Sequence, residues 1–276
     1  MKNFLRCSVI LFTIGIGLVL LAGLALYFTG IKKLTQTYPN LSVETVDIPT
    51  DPEAIIRGQH IAIIWSCTKC HGDDLGGQLI DNSAFSGTIS AMNLTSGSSG
   101  IASRYTEADW IRAIRHGVKP NGQVEILMNN YSTMSDQDLG DLLAYLKQLP
   151  PIDSSQPAMR FGVTLPIGSA LGIWTPAAER IDHNAPRPAE PVSGATVDYG
   201  QYLSAVCTEC HRAKNIGIAL KDWSQEDFFR AFRTGVLPNG GQLNKAMPLK
   251  TFGEMNDTEL SALWLYFHSL RPMPQK

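Results

Sequence analysis

The chain has 276 residues, 44% hydrophobic and 17% charged, with a formal net charge of −2 at pH 7. That length suits about two domains. The near-neutral balance leaves no basic footprint for nucleic acid and no polybasic patch for a membrane surface.

From Ser8 to Gly30 the sequence runs SVILFTIGIGLVLLAGLALYFTG without a charged residue. A helix of some 20 residues at about 1.5 Å each crosses a hydrocarbon core about 30 Å thick. Residues 8–30 are therefore expected to be a transmembrane signal anchor. A cleaved signal peptide is the alternative, but its apolar core usually runs only about 7 to 15 residues. Lys2 and Arg6 precede the run while Lys32 and Lys33 follow it, so the charge rule assigns no orientation. Cys7 stands before the apolar run and reads as a free thiol. Residues 31–50 read as a linker.

Beyond residue 50 the chain repeats itself. TEADWIRAIRHGVKPNG (106–122) lies over SQEDFFRAFRTGVLPNG (224–240) without a gap, nine of seventeen positions being identical. Upstream, RGQHIAIIWSCTKCH resembles YGQYLSAVCTECH, and downstream YSTMSDQDLGDLLAYLKQLPP matches FGEMNDTELSALWLYFHSLRP. Each copy predicts helix, C-x-x-C-H, loop, helix, loop, helix. The copies span residues 51–151 and 196–276. From His71 to Thr106 is 35 positions and from His211 to Ser224 is 13, so the first copy carries 22 more. Between the copies, residues 152–195 read as a proline-rich, semi-rigid connector. Thr106, Ser135, Ser224 and Asn256 are N-cap candidates, with Asp109, Asp138, Asp227 and Glu259 three residues on. The last helices should stop at Pro150-Pro151 and near Pro272. No sustained strand alternation is visible, so the expected fold class is all-α: one N-terminal transmembrane helix and two small helical domains.

Four of the five cysteines stand in the two C-x-x-C-H frames, Cys67-Thr68-Lys69-Cys70-His71 and Cys207-Thr208-Glu209-Cys210-His211. A zinc ribbon would gather two C-x-x-C pairs at one place, whereas here each pair belongs to its own repeat. A thioredoxin motif would need a β-α-β setting. A plain disulfide leaves both histidines unexplained. C-x-x-C-H is the attachment signature of haem c: two thiols bond the porphyrin edge, and the next side chain becomes the proximal iron ligand. Two covalently bound haem c groups follow as the expected cofactors, with iron on His71 and His211.

Both repeats resemble class I cytochrome c domains. The whole is similar to membrane-anchored dihaem cytochromes, notably the cytochrome c subunits of alcohol and sugar dehydrogenases. The resemblance implies that a glycine of each first helix meets an aromatic of the last, Gly58 with Tyr145 and Gly200 with Tyr266. It also implies haem attachment outside a bacterial cytoplasmic membrane, with a single-pass anchor and both haem domains in the periplasm. A methionine is expected on the far side of each iron. Met134 and Met255 directly precede N-caps and suit hydrophobic staples onto Leu139 and Leu260. Met128 and Met247 lie in irregular loop and are the expected ligands, Met247 being part of the Met-Pro pair typical of the family. Asn93-Leu94-Thr95 resembles a family segment near a haem edge. Arg112, Arg115, Arg230 and Arg233 either pair with haem propionates or form a solvated face. His60, His116, His183 and His268 are expected at the surface.

The expected function is electron transfer between a dehydrogenase or oxidase complex and a respiratory partner, with no catalytic residue and no nucleic-acid role. The rival is a dihaem redox enzyme, either a peroxidase or a thiosulfate-oxidising cytochrome. Such an enzyme needs an open iron or an unusual ligand.

Overall fold

The structure is a computed structural model that describes residues 2–270. The expected stop at Pro272 and the end of the second repeat lie outside the described residues. Helix α1 (Lys2–Leu34) is a continuous 33-residue helix, and its Arg6–Leu34 stretch is long and apolar enough to cross a membrane. An extended segment leads to α2 (Pro52–Ile64), which is capped by Asp51: its carboxylate accepts from the Ala54 N–H at 2.9 Å, and Pro52 takes the first turn. Next come α3 (Cys67–His71), strands β1 (Gln78–Ser83) and β2 (Gly87–Ala91), α4 (Glu107–His116) and α5 (Asp136–Lys147). The region between the repeats holds β3 (Arg160–Phe161), α6 (Thr164–Ala170) and α7 (Ala177–Arg180). The second repeat contributes α8 (Val197–Leu203), α9 (Ala205–Thr208), α10 (Ala213–Ala219), α11 (Gln225–Thr234), α12 (Leu249–Phe252) and α13 (Asp257–Ser269).

The fold is mostly helical but not all-α, which corrects the expectation. β1, β2 and β3 form an antiparallel sheet in that order. The hairpin falls inside the 22-residue excess of the first repeat. A register shift between Leu79 and Asp81 interrupts the period-2 pattern, so the strands are hidden from a sequence reading. Gly87 (φ 86°) follows the three-residue connection, and a Cβ there would meet Arg160 O at 2.0 Å, so only glycine admits β3. The connector carries β3, α6 and α7. Asn93 Nδ2 donates to Ile152 O at 2.6 Å and Ser90 Oγ to Pro157 O at 2.5 Å, fastening it along the first repeat.

The two repeats are built alike. α2 packs on α5, and α8 on α13. A Cβ on Gly58 would lie 2.0 Å from Asp141 O and 2.8 Å from Tyr145 Cβ. On Gly200 it would lie 1.9 Å from Ala262 O and 2.8 Å from Tyr266 Cβ. Both glycine–aromatic crossings expected from the sequence are thus present. Thr106, Ser224 and Asn256 form capping boxes with Asp109, Asp227 and Glu259.

One core joins the halves: Ile61, Trp65 and Leu142 of the first repeat belong to the same buried cluster as Leu203, Leu260 and Phe267 of the second. Across the junction the His60 imidazole Nε2 sits 2.8 Å from Glu259 Oε1. Trp65 meets Tyr202 edge-on, with ring centroids 5.6 Å apart. A smaller cluster (Leu34, Val118, Val124, Ile126 and Ala178) ties the end of α1 to the first repeat and the connector.

Candidate functional site

The first C-x-x-C-H frame is an isolated helical turn. Ser66 enters it in the left-handed region (φ 67°) and Gly72 leaves it at φ 85°. A non-glycine residue at positive φ is strained, and such positions gather at functional sites. Spacings of three and four residues put Cys67, Cys70 and His71 together on one side of the turn. All three line one cavity of ≈ 400 Å³, which Met128, Tyr131 and Met134 also border.

His71 Nδ1 lies 2.7 Å from Met92 O. A carbonyl only accepts, so Nδ1 carries the proton and the Nε2 lone pair is left for a metal. Burial holds this imidazole below its ordinary pKa, against the Met92 bond, and so favours the neutral, ligating form. Burial likewise pushes the Cys67 thiol up to about 12 and raises that of Cys70. Such thiols are poor nucleophiles and poor redox switches. Both are free rather than joined to each other.

Met128 is half-buried in irregular chain against the core, whereas Met134 is fully buried immediately before the Ser135 cap. Met255 is also buried, before Asn256. The Asn93-Leu94-Thr95 segment runs along the cavity, where Asn93 Oδ1 accepts from the Thr95 backbone N–H at 2.8 Å. Three charged residues also line the cavity and were missed from the sequence: Arg104, Lys119 and Glu125. Glu125 Oε1 is buried without a hydrogen-bond partner, and burial raises the pKa of its carboxyl. None of the three carries a motif; only the curl of the 117–130 loop brings Lys119 and Glu125 to the frame.

The repeated arginines serve the chain's own acids. Arg115 is buried, with Nη2 2.8 Å from Asp136 Oδ1 and 3.0 Å from Met134 O. Its counterpart Arg233 reaches Asp257 Oδ1 at 3.0 Å. Each locks the middle helix to the first turn of the last one. Arg112 and Arg230 pair with Asp109 and Asp227 at 2.5 Å. Three histidines depart from the surface expectation. His60 pairs with Glu259, and His116 is buried with Nδ1 3.1 Å from His183 Nδ1. His268 is exposed beside Trp264.

At the second frame Cys207 is buried, its thiol pushed up to about 12, while Cys210 and His211 are exposed. α9 ends at Thr208, yet His211 N–H still donates to Cys207 O at 3.0 Å, so the turn continues through the frame. Met247 is half-buried against the shared core.

Two free thiols, an imidazole with one nitrogen already engaged and a thioether around one apolar cavity fit a covalently held haem. Residues 55–150 match the family model described as Cytochrome c, and this part of the chain is a cytochrome c domain. The chain as a whole is similar to cytochrome c subunits of dehydrogenases. The fructose dehydrogenase cytochrome subunit of Gluconobacter japonicus is 26% identical, covering 83% of this chain and 56% of that protein. The cytochrome c subunit of a quinone alcohol dehydrogenase from Gluconobacter oxydans is 26% identical over 62% of this chain and 37% of its own length. A diheme cytochrome c-type protein of Cereibacter sphaeroides is 26% identical over 77% of this chain and 72% of its own. The chain spans about half the length of the first of these relatives, or less of the second.

Proposed function

We propose that the chain is a membrane-anchored electron-transfer subunit with two covalently attached haem c groups. It relays electrons between a dehydrogenase and a respiratory partner on the periplasmic side of a bacterial cytoplasmic membrane. The observation that carries this reading is the bond from His71 to Met92 O beside Cys67, Cys70 and Met128 on one cavity. When bound, haem c supplies one-electron iron chemistry. Cys67 and Cys70 would hold the group through their sulfurs, and His71 and Met128 would be the ligands to its iron. Cys207, Cys210, His211 and Met247 take the same roles in the second repeat. Met92 O fixes the tautomer and orientation of His71, and the apolar wall excludes water, which favours a stable potential over ligand exchange. No side chain is asked to move a proton or form a bond to substrate. The helix over residues 8–30 serves as the anchor.

The test is covalent stoichiometry on the purified full chain. The expected mass is that of the polypeptide plus two haems, retained through acid–acetone extraction. A mass with one haem limits the reading to residues 51–151, and extractable haem overturns it.

A further inference from the structure

Phe161–Ala178 is an 18-residue stretch without a single charged side chain, bounded by Arg160 and by Glu179-Arg180. It lies against α1. A Cβ on Gly30 would stand 1.8 Å from Pro166 O, so α6 and the last turns of α1 touch backbone to backbone. Gly30 precedes Lys32 by two residues, or about 3 Å of helix axis. If α1 crosses the bilayer, α6 lies at the depth where hydrocarbon gives way to headgroups.

The stretch has two sides. Leu165 and Trp174 pack inward on the cluster of Leu34, Val118 and Ala178. Val163, Leu171 and Ile173 face outward, with relative exposures of 47%, 56% and 79%. The hairpin tip joins the same surface: Thr164 N–H donates to Phe85 O at 3.1 Å, and Phe85 is 71% exposed. The outward loop also satisfies its own backbone. Ile173 N–H donates to Gly168 O at 2.9 Å and Leu171 N–H to Ile167 O at 3.0 Å. A segment that meets lipid must do this, because nothing there replaces water as a partner. Lys33 stands at the rim, 3.8 Å from Glu179 and 3.4 Å from Ser169 O.

We propose that Val163, Leu171, Ile173 and the Phe85 hairpin tip form a second membrane contact, lying in the interfacial layer of the bilayer beside α1. This rests on the reading of α1 as the anchor. The occupant is lipid rather than a partner protein, because the surface is continuous with the apolar span through the Gly30–Pro166 contact. Two attachments instead of one hold the cytochrome c domain at a set height and tilt instead of letting it swing on residues 31–50. Amphipathic segments at this depth bind through their apolar area.

The test uses the full haem-loaded chain in vesicles of phosphatidylethanolamine and phosphatidylglycerol, with Cys7→Ser as background. Single cysteines at Ile173, Phe85, Ile56 and Phe12 are alkylated with a charged, membrane-impermeant maleimide. Ile56 is an aqueous reference, 66% exposed on α2, and Phe12 lies within the span. Cysteines at Ile173 and Phe85 are expected to react about ten-fold or more slowly than that at Ile56, since thiolate and reagent are both disfavoured in apolar surroundings. The cysteine at Phe12 is expected to stay unlabelled. If the cysteines at Ile173 and Phe85 react as fast as that at Ile56 while Phe12 is protected, the anchor reading stands and the second contact is refuted. Such a surface would be open to a partner protein instead. Free labelling at Phe12 removes the anchor reading and this inference with it.

Discussion

The Tyr202 hydroxyl lies 2.5 Å from Asp138 Oδ2 and 3.1 Å from the Ser135 backbone nitrogen. It donates to the carboxylate and accepts from the N–H, so a side chain of the second repeat completes the helix cap of the first. This is why the α5 cap lacks the reciprocal Asp138-to-backbone bond found at α4, α11 and α13. In the aligned repeats Tyr202 occupies the place of His60, and His60 reaches Glu259, the matching acid of α13. The repeats clasp each other by equivalent positions with different chemistry.

Tyr202→Phe should therefore weaken the junction. It leaves the Ser135 N–H and a largely buried Asp138 without their partner, at a cost of about 1 to 3 kcal/mol. The urea midpoint of the full chain checks this, with the haem spectra expected to stay unchanged.

Two histidines should act oppositely with pH. The hydrogen bond to Glu259 holds the His60 imidazole above its ordinary pKa, against partial burial. Its stabilisation is complete below the unfolded value and is lost as pH rises through the folded one. Burial, then the neighbouring His183, lowers that of His116 to about 4. The unfolded chain then binds the extra proton between about pH 6.5 and 4, so this contribution is lost as pH falls through that window. Urea titrations should show His60→Asn losing stability mainly at the acidic end, and His116→Asn flattening the decline below neutral pH.

Met128→Ala should remove the sulfur–iron band of one haem in the oxidised spectrum and lower its potential. Met134→Ala should leave that band and cost about 2 to 5 kcal/mol, as a fully buried side chain does. Loss of the band in Met134→Ala alone would reverse the assignment. In the second repeat Met247→Ala and Met255→Ala should divide the same way.

Gly58→Ala and Gly200→Ala place a Cβ about 2 Å from a backbone oxygen of the facing helix. Backbone cannot yield as a side-chain tip can, so each helix pair must separate, at about 3 kcal/mol or more. Thermal melting of both variants is the measurement. A Tyr145→Ala or Tyr266→Ala partner change should not rescue either, because the nearest contacts are carbonyl oxygens.

Much of this protein was determined by local sequence. The C-x-x-C-H frames, the capping residues of α4, α11 and α13 and the long apolar helix depend on neighbours within a few positions or on a pattern repeated along the chain, whereas the two glycine–aromatic crossings were expected only through the family resemblance. The hairpin was not legible, because a register irregularity near Ile80 breaks its alternation and its third strand comes from the connector. Nor could the sequence place His60, Arg115 or Tyr202. Each is an ordinary polar residue whose role is set by an acid some 20 to 200 positions away. The sequence also made the two frames look equivalent, whereas the tertiary structure sets His71 half-buried on the cavity wall and leaves His211 exposed. The physical reason is the added chain: β1, β2 and the connector wall the first cavity, and the second repeat has 22 fewer residues between its His211 and Ser224, where such a hairpin would stand.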